Sequence, residues 1–206
     1  MTFPDNKFAD VAAYFDAYTE RLATAAASVD RAALAQAARI LDEAYARQAG
    51  VFACGNGGSA SISNHLVCDH LKGIQTDTEI RPHVHSLSTN MELVTAIAND
   101  LTYDDVFVYQ LRTLAKAGDV LITISSSGDS ENVVRAATWA RDNGVQVIAF
   151  TGFDGGRTAG LATAHLHVEG DNYGIIEDAH QSLMHVLAQY LRQSRMKEDR
   201  IAQRKF

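Results

Sequence analysis

Four serines within six residues, Ser125, Ser126, Ser127 and Ser130, end a short apolar run and lead into a helical pattern. Hydroxyls beside the free N–H groups and positive dipole end of a helix N-terminus suit a phosphate. Gly55-Asn56-Gly57-Gly58-Ser59 repeats this arrangement seventy residues earlier. It lacks the full G-x-G-x-x-G spacing and a P-loop lysine, so neither a dinucleotide nor a nucleoside triphosphate fits it well. Its glycines instead let a substrate approach the backbone closely. Asp129, inside the serine turn, would repel a phosphate and is expected to point outward.

A second chemistry is legible further along. His65 and Asp69 are four residues apart and share a helix face. Near the C-terminus Glu177, Gln181 and His185 advance by four-residue steps, with His180 off that stripe. Two helices that each offer an imidazole and a carboxylate can build a four-ligand site for Zn²⁺ or a similar divalent ion. His83/His85 and His165/His167 alternate in strand-like runs and read as same-face strand residues without chemistry.

These residues need a scaffold that aims them. Strand-like runs at 51–54, 83–88, 119–124, 145–150 and 164–168 alternate with helical patterns at 58–72, 90–98, 104–117, 130–142 and 174–195. Such alternation implies crossover connections and a parallel sheet covered on both faces. Ahead of it, residues 1–49 read as a helical arm that buries its apolar stripe against another subunit, with Asp30 capping its second helix. The segment 73–82 reads as a surface loop, and 50–206 as one α/β domain.

Composition narrows the function. Of 206 residues, 47% are hydrophobic, ample for a core, and the formal charge of −7 argues against nucleic acid as a partner. The basic run from Arg192 to Phe206 reads as a solvated helix end whose cations suit the dipole. No secretory pattern or membrane-spanning run is present, so a cytoplasmic protein with no membrane partner is expected. Cys54 and Cys68 then read as buried free thiols.

Taken in order, Gly55–Ser59, Ala98-Asn99-Asp100, Gly118–Leu121, Ser125–Ser130, Thr151–Gly156 and the helix Glu177–His185 resemble the sugar isomerase (SIS) domain family. Within it they are most similar to the phosphoheptose isomerases. The resemblance implies a three-layer α/β sandwich with a five-stranded parallel sheet, preceded by N-terminal helices, and a homotetramer. It implies that Asn56, Gly57, Gly58, Asn99 and Asp100 contact the sugar while Ser125, Ser126, Ser127 and Ser130 hold its phosphate. It also implies a metal, Zn²⁺ or similar, on His65, Asp69, Glu177 and His185. Asp69 stands where the family has a glutamate that is both ligand and base, Glu177 where it has a glutamine, and Asp129 where it has asparagine. The implied reaction interconverts sedoheptulose 7-phosphate and a manno-heptose 7-phosphate through an enediol. Asp69 or Glu177 would be the base, and His185 or His180 the partner acid. Two alternatives are an isomerase of another sugar phosphate and a non-catalytic tetrameric adaptor for the replication initiator protein.

Overall fold

The computed structural model describes residues 2–206. Two helices, α1 (Val11–Ser28) and α2 (Arg31–Ala46), precede β1 (Gly50–Cys54) and α3 (Gly57–Cys68). Then come β2 (His83–Ser86), α4 (Met91–Asp100), α5 (Val108–Leu114), β3 (Val120–Ile124), α6 (Glu131–Asp142) and β4 (Gln146–Thr151). A short α7 (Gly156–Ala159), β5 (Ala164–His167), the 23-residue α8 (Tyr173–Arg195) and α9 (Glu198–Ile201) complete the chain.

All five strands are parallel, in the order β2-β1-β3-β4-β5. Parallel strands need both faces covered, which is why β3 is a continuous apolar run, buried at every position. On one face Leu41, Tyr45, Leu66, Phe150 and Met184 join α2, α3 and α8 to the sheet. On the other, Phe52, Phe107, Leu121, Val133 and Val147 join α5 and α6. The strand order reverses between β1 and β3, and a doubly wound sheet opens a crevice at the carboxyl ends of its strands at such a point. Register Val51↔Val120 through Cys54↔Thr123 therefore sets the glycine turn after β1 beside the serine turn after β3.

Several sequence expectations needed correction. The pattern at 104–117 is a 3-10 turn, Tyr103–Asp105, followed by the shorter α5. α3 gives way to a π-helical turn, Asp69–Ile74, where 73–82 was expected to be loop throughout. Cys54 is buried, and burial pushes its thiol up to about 12, but Cys68 is exposed. Most of the basic tail is exposed, as expected, including Arg195, Lys197, Arg200, Arg204 and Lys205, with one exception. Arg192 is buried, donating to the carbonyls of Thr76 (3.1 Å) and Lys205 (3.2 Å) and to Asp77 (3.2 Å). Its guanidinium also covers the Phe206 ring, 4.8 Å from the centroid. Sequence periodicity cannot show this, because Asp77 lies 115 residues away. Asp30 caps α2 as expected, accepting from Ala32 N at 2.8 Å.

Candidate active site

The two turns enclose a small cavity of about 150 Å³ walled by Asn56, Ser59, Ile124, Ser125–Ser127, Ser130, Tyr173 and Glu177. Asn56 is the N-cap of α3, and its amide exchanges reciprocal hydrogen bonds, both 2.9 Å, with Asn132 in the first turn of α6. Tyr103 Oη donates to Asn56 Oδ1 at 2.8 Å. These bonds tie together the N-termini of two helices, whose first-turn N–H groups have no partner within the helix. Ser126 Oγ is buried with no hydrogen-bond partner. A buried hydroxyl left unpaired is costly, so the cavity is built to receive a polar ligand. Asp129 points outward, as expected, onto Arg157.

The metal-type residues assemble separately. One ligand atom from each of His65, Asp69 and His185 lies within 4.8 Å of the others. Asp69 Oδ2 is hydrogen-bonded to His185 Nδ1 at 2.7 Å, and its Oδ1 lies 3.3 Å from His65 Nε2. With Nδ1–H committed to Asp69, His185 Nε2 accepts from the Gln181 amide at 2.9 Å. Two imidazoles and a carboxylate, partly open to solvent, match the three-ligand set with an open position that catalytic divalent ions use. A cavity of about 350 Å³ opens on Asp69 and His185, and the tail residues Lys205 and Phe206 form part of its wall.

Two expected members of this cluster lie elsewhere. Glu177 is eight residues from His185 on the same helix, a rise of about 12 Å. It lines the serine cavity, and its carboxylate occupies the space a Cβ on Gly58 would need, so a side chain at position 58 would have to displace it. Burial, reinforced by Asp178, raises its carboxyl above the usual range. His180 is fully buried and donates through Nε2 to the Thr151 carbonyl at 3.1 Å. Burial brings it down to about 4, so it is neutral at pH 7 and reaches neither cavity.

Asn99 and Asp100 are exposed at the end of α4, bonded to each other at 2.8 Å, and do not line the serine cavity. Gly57 is not in its wall either, and Gly58 borders it through Glu177. Sequence reasoning missed Asn132, Tyr103 and Tyr173, and named Ser59 only as the end of the glycine turn. Only Asn132 had a signal, an amide in the turn just after the serines; its pairing with Asn56 spans 76 residues.

Comparison with known proteins agrees with this geometry. The SIS domain family model matches residues 13–152. The phosphoheptose isomerase of Alteromonas mediterranea is 35% identical over 84% of this chain and 89% of its own length. That of Bordetella avium is 39% identical over 75% of this chain and 79% of its own. Among solved structures, a phosphoheptose isomerase from Neisseria gonorrhoeae superposes with a TM-score of 0.80 at 33% identity, covering 89% of this chain and 97% of that one. One from Francisella tularensis gives 0.81 at 28% identity, covering 89% and 96%. With both turns, the sheet order and the His–Asp–His cluster in place, the chain belongs to the phosphoheptose isomerase family of SIS-domain enzymes.

Proposed function

We propose that the enzyme interconverts sedoheptulose 7-phosphate and D-glycero-D-manno-heptose 7-phosphate, with the phosphate in the serine cavity and the carbonyl end at Asp69 and His185. The observation that carries this reading is the separation of two sites along α8. Glu177 marks the phosphate end and His185 the reactive end, with about 12 Å of helix rise between them, comparable to the length of an extended sugar phosphate.

Asp69 takes the proton from the carbon next to the carbonyl, and the electron pair moves to the carbonyl oxygen to give the enediol. A proton moves between the two oxygens, and Asp69, oriented by His185, returns its proton to the neighbouring carbon. The 2.7 Å bond to His185 keeps carboxylate and imidazole aligned for both transfers. A divalent ion such as Zn²⁺ fits the donor set of His65, Asp69 and His185 and, when bound, supplies polarisation of the carbonyl and stabilisation of the enediolate charge. Glu177 stands at the phosphate end, so this reading gives the base to Asp69.

Exposed apolar side chains, Val11 and Phe15 on α1 and Val186 and Tyr190 on α8, support assembly as a homotetramer. Turnover of ketose phosphates of five, six and seven carbons with Zn²⁺ present tests the substrate. A preference for the seven-carbon compound is expected, and a shorter preferred substrate would refute the heptose assignment.

A further inference from the structure

The serine turn contains an acid that a phosphate site does not need. Asp129 sits between Gly128 and Ser130, and Glu131 opens α6. No lysine or arginine lines the serine cavity among the described residues, and Glu177 already places one carboxylate in its wall, so hydroxyls, an amide and N–H groups must hold the ligand's charge without a cation. An uncompensated carboxylate one residue from Ser130 would oppose that binding.

Arg157 on α7 removes the conflict. Its Nε donates to Asp129 Oδ1 at 2.5 Å, Nη2 to the Asp129 carbonyl at 2.9 Å, and Nη1 to Glu131 Oε2 at 2.8 Å. Arg135 takes the other oxygen of Glu131 at 2.9 Å and reaches Asp105 and Asp104 at 3.0 and 3.3 Å. The backbone beneath is equally constrained. Gly152 N donates to the Ser126 carbonyl at 2.8 Å and Thr158 N to the Gly128 carbonyl at 3.0 Å. Gly128 and Gly156, both at positive φ, face one another so closely that a Cβ on either would strike the opposing turn. One guanidinium thus fixes the turn's exit into α6 and neutralises the acid beside it.

We propose that Arg157 is a positioning residue for phosphate binding, holding the Asp129 carboxylate away from the serine cavity and cancelling its charge. The proposal rests on the reading of that cavity as the phosphate site. Both partners are about half exposed, and exposed ion pairs contribute little to stability, so the effect belongs in affinity rather than in folding.

The test compares wild type, Arg157→Lys, Arg157→Met and the double variant Arg157→Met/Asp129→Asn. It reads KM and kcat for sedoheptulose 7-phosphate, competitive inhibition by inorganic phosphate, and Tm. Arg157→Met should raise KM and the phosphate inhibition constant about fivefold to tenfold with kcat and Tm little changed. Arg157→Lys should fall between, and removal of the Asp129 charge should restore the double variant to within about twofold. Unchanged KM in Arg157→Met, a fall in kcat and Tm with KM constant, or no rescue in the double variant would overturn the proposal alone. Wild type that neither turns over the sugar phosphate nor binds inorganic phosphate would overturn the phosphate-site reading and this proposal with it.

Discussion

Replacing His180 by glutamine separates a structural histidine from a catalytic one. The wild-type ring is fully buried, packs edge-on against Phe150 at 5.8 Å, and holds the Thr151 carbonyl at the end of β4. Its ordinary value of 6.5 is lowered to about 4 in the fold, mainly by burial. As pH falls below 6.5 the unfolded chain therefore takes up this proton and the folded one does not, so stability drops until the pH nears 4, where the loss levels off. Linkage gives about 2 kcal/mol lost between pH 7 and pH 5, and about 3 kcal/mol in the limit. Glutamine can still donate to Thr151 but does not titrate. Urea unfolding of both proteins at pH 7 and pH 5, at equal protein concentration, should show the variant losing about 2 kcal/mol less than wild type. At pH 7 the variant should keep kcat within a few-fold. Parallel pH dependences would refute the buried neutral histidine. A loss of about a hundredfold or more in kcat without a change in fold would restore His180 to the mechanism.

The other expectations bear on the two ends of the site. Asp69→Asn removes the base while leaving an amide oxygen that can still accept from His185 Nδ1–H, and steady-state kinetics should show kcat down by about a thousandfold with KM little changed. Ser126→Ala deletes a buried hydroxyl that has no partner, so the free protein should gain about 1 kcal/mol in urea unfolding while inorganic phosphate binds about tenfold more weakly in calorimetry. Loss of both stability and affinity there would mean the hydroxyl has a partner within the fold. Gly58→Ala forces the Glu177 carboxylate out of its place, and kcat/KM should fall about tenfold while the circular dichroism spectrum is kept.

Legibility in the sequence tracked the range of the interactions. Local periodicity was enough for the five strands and for α6 and α8, because burial on both faces of a parallel sheet writes continuous apolar runs such as Val120–Ile124. His65 and Asp69 were legible as a pair because four residues is one helical turn. His185 was expected beside them, and packing of α3 and the π-helical turn on α8 is what places it there. Spacing also misleads: steps of four aligned Glu177 with His185, but two turns of rise put them in different cavities. The Asn56–Asn132 pair, the hold of Arg192 on Asp77 and the contact of Arg157 with Asp129 join residues distant in the chain, and one sequence gives no pattern for them.

Isotope exchange from solvent tests the central claim most directly. Wild type with Zn²⁺ in deuterated water should place deuterium on the carbon next to the carbonyl of sedoheptulose 7-phosphate, seen by NMR as loss of that proton signal. Asp69→Asn should bind the same compound and exchange nothing. Exchange by Asp69→Asn at the wild-type rate, or none by wild type loaded with metal, would contradict the account.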